Sequence, residues 1–302
     1  MNHRRLHLQL LAVALIWGAA WAWAKIITRE VLPLTAGLTR LTLAALLLLA
    51  WLYRCDRFAE LRQLRGGQLL KLALAALVGF FGYAVCFVLG IKNTSATNAT
   101  IIITLNSPAT MFGAVLIFRE HINRAIGVGM ACALAGTVLA ITRGDFANLS
   151  AVGRGDYFVF GCVLCFSAFT LFAKTFLRGL SSRLVVTIST VLAALALLPV
   201  QWALEGAAGF QSLFNASPWA ALHMALIVGL STVLGYIWYF QGVQGLSAAR
   251  AAVYNVLVPL FGIAYSLLFL NEPGHWTLLP GVGLTVAGLA LINRGQRQLV
   301  PH

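Results

Sequence analysis

Residues 95–120 read SATNATIIITLNSPATMFGAVLIFRE, and residues 247–272 read SAARAAVYNVLVPLFGIAYSLLFLNE. Both open on Ser-Ala, carry a proline inside an apolar run and close on glutamate. Ser95 and Ser247 are 152 residues apart, Pro108 and Pro259 are 151 apart, and Glu120 and Glu272 are 152 apart. A layout kept at one shift argues for internal duplication, and a repeat constrains the fold before any single helix does.

The match extends both ways. Ala24-Lys25 recurs as Ala173-Lys174, and the LAAL of 43–46 recurs at 192–195, both shifted by 149. Gly82-Tyr83 resembles Gly235-Tyr236, Gly90 resembles Gly242, and Ala135-Gly136 recurs as Ala287-Gly288. Each pair is weak alone, but together they keep chain order. The expected units are 1–147 and 148–302.

Of the 302 residues, 60% are hydrophobic and 10% charged, against roughly 25% charged in a soluble domain. Windows such as 8–24, 36–53 and 184–204 can each cross a hydrocarbon core of ~30 Å as a helix. Ten spans are predicted, near 7–25, 34–53, 69–91, 95–118, 124–142, 157–176, 184–204, 219–241, 247–270 and 276–293. A bilayer requires each span to satisfy its own backbone, so all are helices. The partner this composition demands is the lipid bilayer. The net charge of +13 is scattered through short loops. No basic face with interleaved aromatics points to nucleic acid.

Arg4-Arg5 and the apolar run to Ala24 mimic a signal peptide. The same segment recurs inside the chain at 157–174, so it reads as a retained first helix. With the N-terminus inside, fifteen Lys and Arg fall on the inner side and five on the outer side, Arg40 being left within a span. That bias places both termini in the cytoplasm of a bacterial-type inner membrane. Five spans per repeat is odd, so the second repeat enters the membrane inverted. Inverted repeats are a common transporter architecture, with the substrate site between them near the midplane. The expected fold is therefore an all-α polytopic membrane protein. Its ten transmembrane helices form two inverted five-helix repeats around a central cavity.

Trp17-Gly18 and Lys25 in the first span, Arg40 in the second, prolines in the fourth and ninth spans followed by glutamate, and glycine-rich fifth and tenth spans form one pattern. On these residues the chain resembles the drug/metabolite transporter superfamily, in its EamA-domain branch, and within it the aromatic-amino-acid exporter subgroup. The resemblance implies a ten-helix basket whose cavity is lined mainly by spans one, three, four, six, eight and nine.

Pro108 and Pro259 each remove a backbone donor and should kink their helices near mid-membrane. They are the candidate hinges for alternating access, although a static kink would also aid packing. Trp17 and Trp21 lie one turn apart on one face. With Tyr83, Tyr239 and Tyr254 they suit an apolar pocket with few polar groups; packing is the competing role. Asn98, Asn106, Ser167, Gln241 and Asn255 are polar at membrane depth, where such residues are costly and often functional. Each can bind a solute or make an interhelical hydrogen bond, typically worth about 1 kcal/mol or less. Arg40 can hold a substrate carboxylate in a bidentate fork, or serve as a structural cation. Lys25 and Lys174 read as snorkelling side chains. Glu272 and Glu120 each precede a helix whose N-terminal dipole suits an anion.

All eight acidic residues fall in loops or at helix ends, so no carboxylate is placed to relay a proton. No P-loop or hydrolase motif is present, and neither an enzyme nor a cofactor is expected. Cys162-Val-Leu-Cys165 has metal-ligand spacing but no second pair, and reads as buried thiols. Small residues at Gly129, Gly136, Gly281, Thr285 and Gly288 allow close helix contact, as internal scaffold or as a homodimer surface. The expectation is a secondary transporter exporting small metabolites, amino acids including aromatic ones, by alternating access. The alternative on the same fold is a sugar-phosphate or nucleotide-sugar exchanger, which would need several convergent cations.

Overall fold

The computed structural model describes residues 3–54, 66–118, 123–142, 144, 152–176, 181–246, 254, 257–272 and 274–299. Among these residues the chain is helical and holds no strand. The spans are α1 (His3–Glu30), α2 (Pro33–Arg54), α3 (Gly66–Asn93), α4 (96–118), α5 (Arg124–Ile141), α6 (Arg154–Phe176), α7 (Ser182–Leu204), α8 (218–246), α9 (Val258–Phe269) and α10 (Leu278–Leu299). Seven stretches of 18 to 28 residues are long and apolar enough to cross a membrane. The other three spans differ. α4 is interrupted, α9 is described only from Val258, and α10 is apolar only over Leu278–Ile292. One helix was not foreseen, Gly206–Phe214, between α7 and α8.

Local chemistry sets where the helices begin. Ser95, Asn123, Ser181 and Ser217 accept the first free backbone N–H groups of α4, α5, α7 and α8. Each such cap is worth about 1 kcal/mol. Carboxylates add caps in trans. Glu205 accepts from the N–H groups of Leu34 and Thr35 at 2.8 Å each, at the start of α2. Glu30 accepts from Ser217 N at 2.7 Å, at the start of α8. Glu272 accepts from Ala96 N at 2.8 Å and Thr97 N at 3.0 Å. Its anion therefore serves the dipole of α4, not that of the helix that follows it. Each of the three carboxylates ties one repeat to the other at a single end of the bundle.

Lys25 departs from expectation too. It is half-buried and does not snorkel. Its ammonium donates to the Ile91 carbonyl at 2.8 Å and to those of Lys92 and Thr94. It thus caps the C-terminus of α3, where cations are favourable. Glu120 and the side chain of Lys174 lie outside the described residues.

The inversion is visible where α5 crosses α10. A Cβ on Gly129 would meet the Gly288 carbonyl and Ile292; one on Gly136 would meet the Gly281 carbonyl and Thr285. Adding 152 turns Gly129 into Gly281, Ala133 into Thr285, Gly136 into Gly288 and Ala140 into Ile292. The contacts of Gly281 with Gly136 and Ala140, and of Gly288 with Gly129 and Ala133, are the same set read backwards. A pseudo-two-fold axis runs through this crossing. The expected small-residue contact is made within the chain, backbone against backbone.

Candidate substrate cavity

The helices around the centre leave regular geometry in matched places. Leu77–Gly82 in α3 and Ile227–Leu234 in α8 are π-helical turns. They overlap under the shift of 153 that pairs Gly82-Tyr83 with Gly235-Tyr236. A π-turn inserts a residue into the ladder and re-aims side chains, often at functional sites. α4 runs Ala96–Ile102, tightens into a 3₁₀ turn at Ile103–Leu105, and restarts at Asn106. Pro108 sits two residues past that restart and cannot donate to the Thr104 carbonyl. Pro259 occupies the first turn of α9, where the missing N–H is tolerated. Within the described residues it begins a helix instead of bending the middle of one.

These irregular segments enclose a cavity of about 850 Å³, counting the space at its open side. Trp17 and Trp21 of α1, Tyr83 and Phe87 of α3, Phe166 of α6 and Tyr236 of α8 supply its aromatic walls. Thr104 and Asn106 of α4, Ser231 of α8, Pro259 of α9 and Arg40 of α2 add the polar and irregular surface. α2 was not among the spans that the resemblance implied, and it enters through Arg40. The rings support one another. Trp21 lies 4.5 Å from Phe87, Phe87 stacks on Tyr83 at 5.9 Å, and Trp17 lies 5.5 Å from Tyr236. Tilted and stacked ring contacts of this kind are favourable beyond the area they bury.

Three of the cavity-lining residues, Trp17, Arg40 and Asn106, contribute polar groups. The Trp17 indole N–H donates to the Ser231 carbonyl at 3.1 Å, inside the α8 π-turn. Arg40 Nε donates to Thr232 Oγ1 at 3.0 Å, and the guanidinium lies 4.8 Å from the centre of the Phe87 ring. Thr232 in turn donates to the Ile227 carbonyl at 3.0 Å. The third group is Asn106 Oδ1, which is buried and has no hydrogen-bond partner among the described residues. Leaving a buried acceptor unpaired costs about 1–3 kcal/mol.

Of the residues picked out in the sequence, Trp17, Trp21, Tyr83, Asn106, Arg40 and Pro259 line the cavity. Ser167 lies behind the wall, where it accepts from Thr110 Oγ1 at 3.0 Å and donates to the Asn106 carbonyl at 3.4 Å, joining α6 to α4. Tyr239 backs Trp17 at 5.1 Å and packs on Leu6 and Leu10. Tyr254 pairs with His7 Nδ1 at 2.6 Å, away from the cavity. Asn98 sits in the first turn of α4 over the Ser95 cap, and Gln241 is half-buried in the last turns of α8; neither lines the cavity. Pro108 is buried behind the 3₁₀ turn, and Asn255 lies outside the described residues. Phe166, Ser231 and Thr232 were missed. Tyr236 carried a signal in its match to Tyr83.

A family model describing EamA-like transporters matches residues 5–142 and again residues 153–294. The chain belongs to the EamA-like transporter family. An uncharacterized transporter of Archaeoglobus fulgidus is 28% identical, covering 97% of this chain and 98% of that one. Uncharacterized transporter YyaM of Bacillus subtilis is 25% identical, covering 97% of each. A solved crystal structure of 17% identity superposes over 98% of this chain and 99% of its own with a TM-score of 0.67, so the EamA-like protein shares its fold. The protein is a multi-pass membrane transporter. Inverted-repeat transporters in general hold their solute between the repeats near the midplane.

Proposed function

We propose that this protein exports small amphipathic metabolites, neutral and aromatic amino acids first among them, by alternating access across a bacterial inner membrane. The observation that carries this reading is Asn106 Oδ1, a buried acceptor without a partner among the described residues, set in an aromatic-walled cavity between the repeats. An α-ammonium group would satisfy it, while the rings would take an apolar side chain. A sugar phosphate fits less well. A dianion calls for several convergent cations, and among the described cavity-lining residues Arg40 is the one cation. With the lysine and arginine bias as guide, the end capped by Glu30, Glu205 and Glu272 faces outward.

The test is counterflow in proteoliposomes with labelled phenylalanine, leucine, lysine, glutamate and a sugar phosphate. Saturable exchange of phenylalanine and leucine is the expected result. Exchange of the sugar phosphate alone would overturn the proposal. Pro108 and Pro259 are the proposed hinges. Pro108→Ala and Pro259→Ala should each slow exchange several-fold at unchanged folded yield, and full-rate exchange in both would remove the hinges.

A further inference from the structure

We infer that Arg40 is the carboxylate receptor of the cavity, so that the transported solute carries a carboxylate beside its apolar body. The inference rests on the cavity being the substrate site. It goes further by assigning the charged end of the substrate to one side chain.

The geometry separates Arg40 from a structural cation in three ways. First, its Nε is spent on Thr232 Oγ1 at 3.0 Å, which fixes the plane of the guanidinium. Among the described residues no group accepts from its two terminal nitrogens, so the edge that makes a bidentate fork is available. Second, the acidic residues described here are engaged elsewhere. Glu30, Glu205 and Glu272 cap helix termini, and Asp156 accepts from Thr94 and from Gly153 N. A protein carboxylate does not neutralise Arg40 among the described residues. Third, the guanidinium is braced against the Phe87 face, whose other neighbours are Trp21 and Tyr83. A cation at membrane depth that faces a cavity marks a substrate path, and with no counter-ion among the described residues a ligand anion would complete it. Thr232 acts through Arg40, and is a positioning residue.

The α8 π-turn is what makes this arrangement. Thr232 lies within Ile227–Leu234 and donates to Ile227, five residues back. The turn thereby presents the oxygen that Arg40 needs. One anion against one cation is the charge balance, so a monocarboxylate with a neutral side chain fits better than a dicarboxylate.

The experiment is competition for labelled phenylalanine counterflow by phenylalanine, phenylalaninamide and 3-phenylpropionate, in wild type, Arg40→Met, Arg40→Lys and Thr232→Val. In wild type the amide should compete about tenfold to a hundredfold more weakly than the acid, the range expected for a charged hydrogen-bonded pair. Arg40→Met should erase that difference, and Arg40→Lys and Thr232→Val should reduce it. An amide as effective as the acid in wild type would overturn the inference, as would full discrimination in Arg40→Met. If Arg40→Met does not fold, the lysine and valine variants decide the matter by the same ratio. If no amino acid is exchanged, the readout is ligand-induced thermal stabilisation of the purified protein. Stabilisation by 3-phenylpropionate and not by 3-phenylpropionamide would uphold Arg40 and sink amino-acid export. Stabilisation by neither would sink the assignment of Arg40.

Discussion

The π-turns of α3 and α8 are copies of one feature put to different uses. The shift of 153 sets Gly79 opposite Thr232 and Val78 opposite Ser231. In α3, Gly79 is buried under the Cβ and ring of Phe169, and the turn packs against α6 and α7. In α8 the matching position holds Arg40, and the matching carbonyl takes the Trp17 indole. The shift of 149 carries Arg40 onto Ser189 in α7, a buried serine whose hydroxyl has no partner among the described residues. So one half keeps small residues and closes the contact, while the other opens it and charges it. The two repeats share a backbone irregularity, and their side chains give its two copies different neighbours.

The largest effect should come from copying the α8 residue into α3. A Cβ on Gly79 would fall within the space of Phe169's own Cβ, which cannot swing aside as a side-chain tip could. Gly79→Thr should therefore overpack the α3–α6 contact by about 3 kcal/mol, the upper end for such changes. It would be seen as a lowered melting temperature and loss of monodisperse protein. Gly79→Thr with Phe169→Ala should recover part of the loss, since neighbouring substitutions do not add. Unchanged stability in Gly79→Thr would mean that the two turns are interchangeable, and the contrast between them would fail.

The reverse exchange should be milder for the fold and harder on selectivity. Thr232→Gly removes a buried side chain and adds helix flexibility, together costing about 1–2 kcal/mol. The folded protein should survive that loss. Without Thr232 Oγ1, Arg40 loses its fixed orientation, and acid-over-amide preference should fall by roughly three- to tenfold, the effect of one hydrogen bond. A drop in turnover with the preference intact would assign Thr232 to packing alone.

Much of this contrast was legible in the sequence, and a definite part was not. The repeat shifts already paired Gly82-Tyr83 with Gly235-Tyr236 and Gly136 with Gly288. Symmetric placement of Tyr83 and Tyr236 in the cavity follows from them. The π-turns were not legible. Over six to eight residues a change from i+4 to i+5 bonding leaves apolar periodicity nearly unaltered in segments as uniform as LVGFFG and IVGLSTVL. Apolar periodicity therefore does not mark Ser231 and Thr232 apart from other hydroxyls in a span. Glu272 shows the second limit. Its place at a helix end was visible, but the dipole it serves belongs to α4, 175 residues away in sequence. Ser167 shows the third. A hydroxyl at membrane depth reads the same whether it faces a cavity or bonds a neighbouring helix, and here it bonds α4.

The smallest effect should be at Trp17, where the two turns differ by a single hydrogen bond to backbone. In α8 the Ser231 carbonyl accepts the indole N–H. Gly235 leaves room for that ring, since a Cβ there would meet the indole nitrogen at 2.7 Å. Trp17→Phe keeps an aromatic wall beside Tyr236 and removes only the donor. The loss is about 1 kcal/mol of net hydrogen bonding, and the vacated carbonyl can bond cavity water in a wet site. Melting temperature should fall slightly, phenylalanine affinity should change by less than about tenfold, and acid-over-amide preference should stay, because Arg40 is held by Thr232. Gly235→Ala should give the same signature by displacing the ring. A Trp17→Phe protein that loses the preference would show that the indole and the guanidinium act as one unit. The α8 turn would then build its site through the Ser231 carbonyl as much as through Thr232.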